Sequence, residues 1–371
     1  MPDDLAMTDY RFEQGPIRPP SEANSLLLRV TRNCPWNQCT FCSIYKGQKF
    51  SQRPISEILN DIHAVHSAIQ SIKAGKSCSE NLDPWVLISA ENWLRSNMES
   101  VFLQDANTLI VKPEDLIVIL TAIRAKFPEV RRITSYARSQ TIARISDEAL
   151  KNLAAAGLNR IHIGMESGSD SILKMIKKGA DKATHIAAGL KVKMAGIELS
   201  EYIMPGLGGL EHSEENALAT ADALNQINPD FIRIRTFGLS NGSQMAVDYN
   251  EGRFSKAGDL QAAKELLLLI ENLQGITSTI LSDHIINLLP EVCGVMPRDK
   301  ATMIRVIQGF IVLPAEEQVV YIIGRRLGIM NGVQDLKQKE RRRYALDFIE
   351  ANGITAETVD YYASELMKQY I

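Results

Sequence analysis

The chain is poor in cysteine, with five in 371 residues, and in histidine, with six. It also lacks an excess of either charge: 41 Lys and Arg against 44 Asp and Glu leave a formal net charge of −3. A balance so near zero excludes a general polyanion binder, which needs a basic field. No run reaches the roughly 18 consecutive apolar residues of a membrane-spanning helix. The opening Met1-Pro2-Asp3-Asp4 is acidic where a secretory signal is basic and then apolar. The expectation is a cytoplasmic protein with no membrane partner. Repeats and low-complexity tracts are absent too, and so sparse a cysteine content does not suit a secreted disulfide scaffold. What is present, 45% hydrophobic and 23% charged residues, is ample for an ordinary globular core.

The length exceeds one common domain, although barrels of alternating strands and helices reach about 250 residues as one unit. Residues 1–24 read as an irregular lead-in with Gly15-Pro16 and Arg18-Pro19-Pro20. From Ser25 onward, strand-like runs alternate with helical periodicity. The runs are Leu26–Thr31, Val101–Gln104, Arg132–Ala137, Arg160–Glu166, Ile197–Met204 and Phe231–Thr236, with Thr277–Leu281 as a candidate seventh. Such alternation implies parallel strands joined by right-handed crossovers, in an open sheet or a barrel. The stretch from Ala74 to Glu99 reads as an insertion, and the pattern beyond Pro290 as purely helical. The expected domains are 1–24, the strand–helix body 25–289 and a helical region 290–371.

Cysteine is unevenly spent. Cys34, Cys39 and Cys42 crowd the loop after the first strand, as Cys-Pro-Trp-Asn-Gln-Cys-Thr-Phe-Cys, while Cys78 and Cys293 stand alone. Three thiolates in one short loop can wrap an iron–sulfur cluster, each on a separate iron. A four-iron cluster so held keeps one iron without a protein ligand. The other reading is a zinc site completed from a distance, or unligated thiols.

This loop, with Phe41 just before the last cysteine, resembles the radical S-adenosylmethionine (SAM) superfamily, in particular its coproporphyrinogen oxidase and methylthiotransferase-like members. Four residues separate the first two cysteines, one more than the usual spacing, so the loop is a variant. The resemblance implies a partial (β/α)6 TIM-type barrel of parallel strands with a C-terminal helical region. It implies one [4Fe-4S] cluster on Cys34, Cys39 and Cys42, with SAM chelating the open iron. Reductive cleavage would then give a 5′-deoxyadenosyl radical that takes hydrogen from the substrate. A second cluster is not expected from Cys78 and Cys293, nor a cobalamin-binding domain from the 24 residues before Ser25.

In a barrel the C-terminal strand ends carry the site. After the second strand, Asp105, or else Gln104, is the candidate acceptor for the SAM amino group, where the family has a Gly-Gly-Glu-like turn. A turn-capping Asp is the plainer reading. Arg138 ends the third strand. The fourth ends Gly164-Met165-Glu166-Ser167-Gly168, with Glu166 placed to accept from the ribose hydroxyls, Ser167 beside it as a further cofactor contact, Gly168 allowing close backbone approach and His162 deeper in the core. Lys178 occupies the position at which relatives reach the SAM carboxylate with Arg. Met204 and Gly206 begin the turn expected against adenine.

Arg233 and Arg235 alternate with isoleucines on the sixth strand. They would hold the SAM carboxylate or an anionic group of the substrate, or else pair with Glu166 or Glu201. His284, with Asp283, would move a proton near the radical; otherwise Asp283 caps a helix over Ile285–Leu289. Arg235 and His284 are thus the catalytic candidates. The basic run Lys337, Lys339 and Arg341-Arg342-Arg343 reads as a solvated helix face, so no nucleic acid is expected. The partners expected are a small-molecule or peptide substrate and an external electron donor such as flavodoxin or ferredoxin. The opposing class is a non-catalytic zinc or iron–sulfur binding module.

Overall fold

The computed structural model describes residues 11–77 and 82–370, so Cys78 lies outside the described residues. All seven expected strands form: β1 Leu26–Arg29, β2 Ser100–Gln104, β3 Arg132–Ala137, β4 Arg160–Glu166, β5 Glu198–Ile203, β6 Phe231–Ile234 and β7 Thr279–Leu281. An eighth, β8 Gly294–Val295, was not foreseen and interrupts the region expected to be purely helical. The fold is mixed α/β with a mostly parallel sheet, the class expected of a partial TIM-type barrel. The chain divides into two compact units, and β4 passes from the first, at 160–162, into the second, at 163–166.

The first unit holds residues up to Pro35, 47–162 and 194–197. Its strands run in the order β1-β2-β3-β4, with Leu27 beside Phe102 and Phe102 beside Thr134 in parallel register. Leu26, Leu27 and Leu28 are all buried, as in a parallel strand covered on both faces. Amphipathic helices at Ile55–Lys73, Pro113–Lys126 and Asp147–Ala155 follow the expected periodicities. Ser146 caps the last of them by accepting from Ala149 N–H. The supposed insertion contains the helix Pro84–Arg95, whose Val86, Ala90 and Trp93 are buried at helical spacing. Trp93 donates its indole N–H to Ser100 O at 2.8 Å and meets Phe127 edge-on.

The lead-in is strapped to this unit by polar contacts. Phe12 N–H donates to Asp83 Oδ2 at 2.9 Å, and Glu13 takes Arg32 on both oxygens. Glu22, fully buried, meets His162 Nε2 at 3.3 Å and Arg132 at 3.2 Å. Burial pushes the Glu22 carboxyl up, but His162, Arg132 and Ser25 more than offset it and hold it at about 2. His162 is fully buried, with its Nε2 against Glu22.

The second unit holds Trp36–Lys46, 163–193 and the chain from Glu198 onward. Its strand order is β4-β5-β6-β7-β8. Glu201 pairs with Ile232, Tyr202 with Arg233, and Arg233 with Leu281, all parallel; β8 joins β7 antiparallel. Helices Ser213–Ile227 and Asp259–Asn272 form as expected, as do helices beyond 299: Lys300–Ile311, Ala315–Arg326, Lys339–Asn352 and Val359–Met367. A buried Arg326–Asp259 pair fixes the second of these C-terminal helices to Asp259–Asn272. Arg342 forks onto Glu317 at 2.5 and 2.6 Å and Arg341 meets Asp335, so two of the basic run are already neutralised. No single described helix is long and apolar enough to cross a membrane.

Candidate functional site

In the first unit, the end of β2 is committed to holding its own surroundings. Gln104 is fully buried; its Oε1 accepts from Gly15 N–H at 2.8 Å and its Nε2 donates to Ile17 O at 2.6 Å. Asp105, equally buried, takes Arg29 at 2.8 Å and the main-chain N–H of Asn33 at 3.2 Å. Both expected SAM contacts are thus corrected: these groups face protein donors. Asp105 instead fixes the chain where it enters Cys34, beside Asn33, whose φ of +68° makes the turn. Arg138 follows β3, its N–H donating to Asn107 Oδ1 at 2.9 Å at the start of the helix Ser139–Arg144.

In the second unit, the segment carrying Cys39 and Cys42 is docked at several points. Trp36 donates its indole N–H to Lys177 O at 2.7 Å, and Thr40 N–H donates to Ile176 O at 3.0 Å. Thr40 O in turn accepts from Met245 N–H. Gly179, with φ +72°, lies so close to the Trp36 ring that a Cβ there would stand 2.5 Å from it. This seating brings the Phe41 ring to 5.9 Å from Lys178 Nζ. Lys178 itself donates to Glu166 Oε1 at 3.0 Å. Two expected cofactor contacts therefore meet each other, in a pair whose side chains are each 13% exposed.

Gly164 makes room for that pair: a Cβ there would fall 2.2 Å from Glu166 Oε1. Glu201 is fully buried, and neither carboxyl oxygen meets a hydrogen-bond partner among the described residues. Burial drives its pKa well above the usual carboxylate range, with Lys178 pulling it down and Glu166 pushing it up. Ser167 is corrected as a cofactor contact: its buried hydroxyl donates to Asn216 Oδ1 at 2.6 Å. Gly168 does permit close approach, but to the helix Ser213–Ile227, with Ala219 O 2.3 Å from its would-be Cβ. Met204 sits in an apolar cluster with Ile172, Leu207 and Phe237, against which Phe41 packs.

The turn at Gly206, φ +86°, is held by a residue that escaped the sequence reading. Glu265 Oε1 accepts from Gly206 N–H at 2.9 Å and from Asn216 Nδ2 at 2.7 Å, and Oε2 accepts from Ser213. Burial raises Glu265 to about 7, against the lowering effect of those three donors. An acid in the middle of the apolar face of its helix, between Ala262 and Leu269, was the available signal.

At the ends of β6 and β7 the expected alternatives resolve. Arg233 is buried and pairs with neither Glu166 nor Glu201. The register puts Glu201 beside Ile232, on the face opposite Arg233. Its partner is Asp283, at 2.6 Å, with Ser200 Oγ at 3.2 Å. The capping role for Asp283 is corrected accordingly, since no helix forms over 285–289. His284 Nδ1 accepts from Ile286 N–H at 3.3 Å, and burial together with Arg235 holds the ring down to about 4.

Residues 87–221 match the family model of the Radical SAM superfamily. The matched part lies downstream of the cysteine loop. A stretch of 215 residues is 29% identical to the 4′-phospho-dehydrooxetanocin synthase of Priestia megaterium, covering 54% of this chain and 26% of that protein. Another of 110 residues is 24% identical to the tRNA uridine(34) acetyltransferase of Methanocaldococcus infernus, covering 29% and 21%. The chain thus spans about a quarter of the length of the curated relatives it matches. Among solved structures, coproporphyrinogen III oxidase from Escherichia coli superposes with a TM-score of 0.46 at 13% identity, over 67% of this chain and 51% of that one. Methylornithine synthase gives 0.44 at 15%, over 69% and 65%.

Radical SAM enzymes bind a [4Fe-4S] cluster and SAM, and draw on an external reductant. The side chains present suit those groups. Cys34, Cys39 and Cys42 are each part-exposed and form no disulfide. Three thiolates can each bind a separate iron of one cluster. A carboxylate and an ammonium, Glu166 and Lys178, beside an aromatic ring match the polar groups of a nucleoside–amino acid.

Proposed function

We propose that this chain is a radical SAM enzyme that abstracts hydrogen from a substrate yet to be identified. Cys34, Cys39 and Cys42 would ligate the cluster, within a radical SAM body at 25–289 followed by a helical region at 290–371. Bound there, the cluster and SAM supply an electron and a 5′-deoxyadenosyl radical, the hydrogen-abstracting species. Glu166 would accept from the ribose hydroxyls, Lys178 would attract the SAM carboxylate as a point charge, and Phe41, Met204 and Gly206 would line the adenine side. Arg138 would add to the polar rim. The apolar packing of Phe41 on the Met204 cluster would keep water from the reacting carbon. A flavodoxin or ferredoxin would deliver the electron.

The observation that supports this most is the seating of the Cys39–Cys42 segment, by Trp36 and Thr40, beside the Glu166–Lys178 pair. The test is anaerobic reconstitution followed by iron and sulfide analysis and a search for 5′-deoxyadenosine after dithionite and SAM. Near-equal iron and sulfide with nucleoside release supports the reading. Zinc without sulfide overturns it.

A further inference from the structure

We infer that Arg235 and His284 form a donor-only subsite that grips an anionic group of the substrate, a carboxylate or a phosphate. The inference rests on reading the chain as a radical SAM enzyme. Two arginines reach the end of β6, but the neighbouring segment supplies one acid. Asp283 takes Arg233 at 2.6 Å. The parallel register, Arg233 beside Leu281, carries the two strand ends forward together and brings Arg235 level with Asp283-His284. The half-buried Arg235 guanidinium meets no carboxylate and no other acceptor among the described residues. A part-buried cation without a counter-charge is costly unless an anion completes it.

His284 completes the donor set. Its Nδ1 accepts from Ile286 N–H, so the proton of the neutral ring sits on Nε2, leaving a second N–H donor. Arg235 and burial keep that ring uncharged at neutral pH.

The test is equilibrium dialysis of the anaerobic, cluster-loaded full chain against labelled inorganic phosphate and, separately, labelled acetate. Retention of one anion names the class. Arg235→Ala and His284→Gln should each weaken it about tenfold or more, and Arg235→Lys should restore part of the loss. Retention of neither anion, equal binding by Arg235→Ala, or displacement of the anion by SAM overturns the inference, the last because the subsite would then belong to SAM. SAM cleavage is scored on the same samples. Cleavage without anion retention defeats this inference alone, whereas retention without cleavage defeats the enzymatic reading and leaves an anion site.

Discussion

Lys178 Nζ stands 3.0 Å from Glu166 Oε1, across the gap that only a glycine at 164 leaves open. The pair joins the strand end at Glu166, which has the left-handed φ of +66°, to the turn after the helix Asp170–Met175. Each side chain is mostly desolvated, so the two charges depend on one another more than a surface pair would.

Disrupting that relationship should therefore affect SAM more than iron. Glu166→Ala and Lys178→Met are each expected to weaken SAM binding about tenfold, with iron and sulfide content unchanged. The double variant should lose less than the sum of the two. Calorimetric titration of the cluster-loaded protein with SAM measures this, and unaltered affinity in Glu166→Ala would remove the residue from the cofactor site.

Glu22 and His162 make a second prediction, on stability. With its pKa lowered from 4.5 to about 2, Glu22 contributes stability that is present above pH 4.5 and lost as pH falls towards 2. Glu22→Gln leaves His162 and Arg132 without their anion and should cost about 3 kcal/mol at pH 7. The variant should also show a shallower loss of stability between pH 4.5 and 3. Urea unfolding across that range tests both points.

The opposite kind of group gives a separate pH window. His284, lowered from 6.5 to about 4, is neutral in the fold and charged in the unfolded chain between those values. Its contribution is fully present above pH 6.5 and drains away as pH falls towards 4, by at most about 3 kcal/mol. His284→Gln should flatten the curve in that window, and an unchanged slope would mean the ring is solvated.

How far the sequence could be read depended on whether a residue acts through its neighbours in the chain or across the fold. The seven strands were legible because apolar runs of four to seven residues recur between helical periods, as Leu26–Arg29 and Arg160–Glu166 show. The helix caps act just as locally: Ser146 accepts from Ala149 N–H and Ser169 from Ile172 N–H, each within three residues of itself. The helix Pro84–Arg95 was missed although Val86, Ala90 and Trp93 carry its period, because Trp85 and Ile88 on its exposed side blur the pattern. Gln104, Asp105 and Ser167 were misassigned because their true counterparts, Gly15, Arg29 and Asn216, lie between 49 and 89 residues away. Asp283 failed differently. Ser-Asp before an apolar run does look like a helix start, but a buried guanidinium on the adjacent strand claims the carboxylate first.

The claim on which the rest depends is a cluster held at Cys34, Cys39 and Cys42 with one iron open to SAM. Low-temperature electron paramagnetic resonance of the reduced, anaerobically reconstituted chain, with and without SAM, tests it most directly. The account predicts a [4Fe-4S]⁺ signal that SAM reshapes and that is lost in the Cys34→Ala/Cys39→Ala/Cys42→Ala variant. No such signal, or one that SAM leaves unaltered, would contradict it.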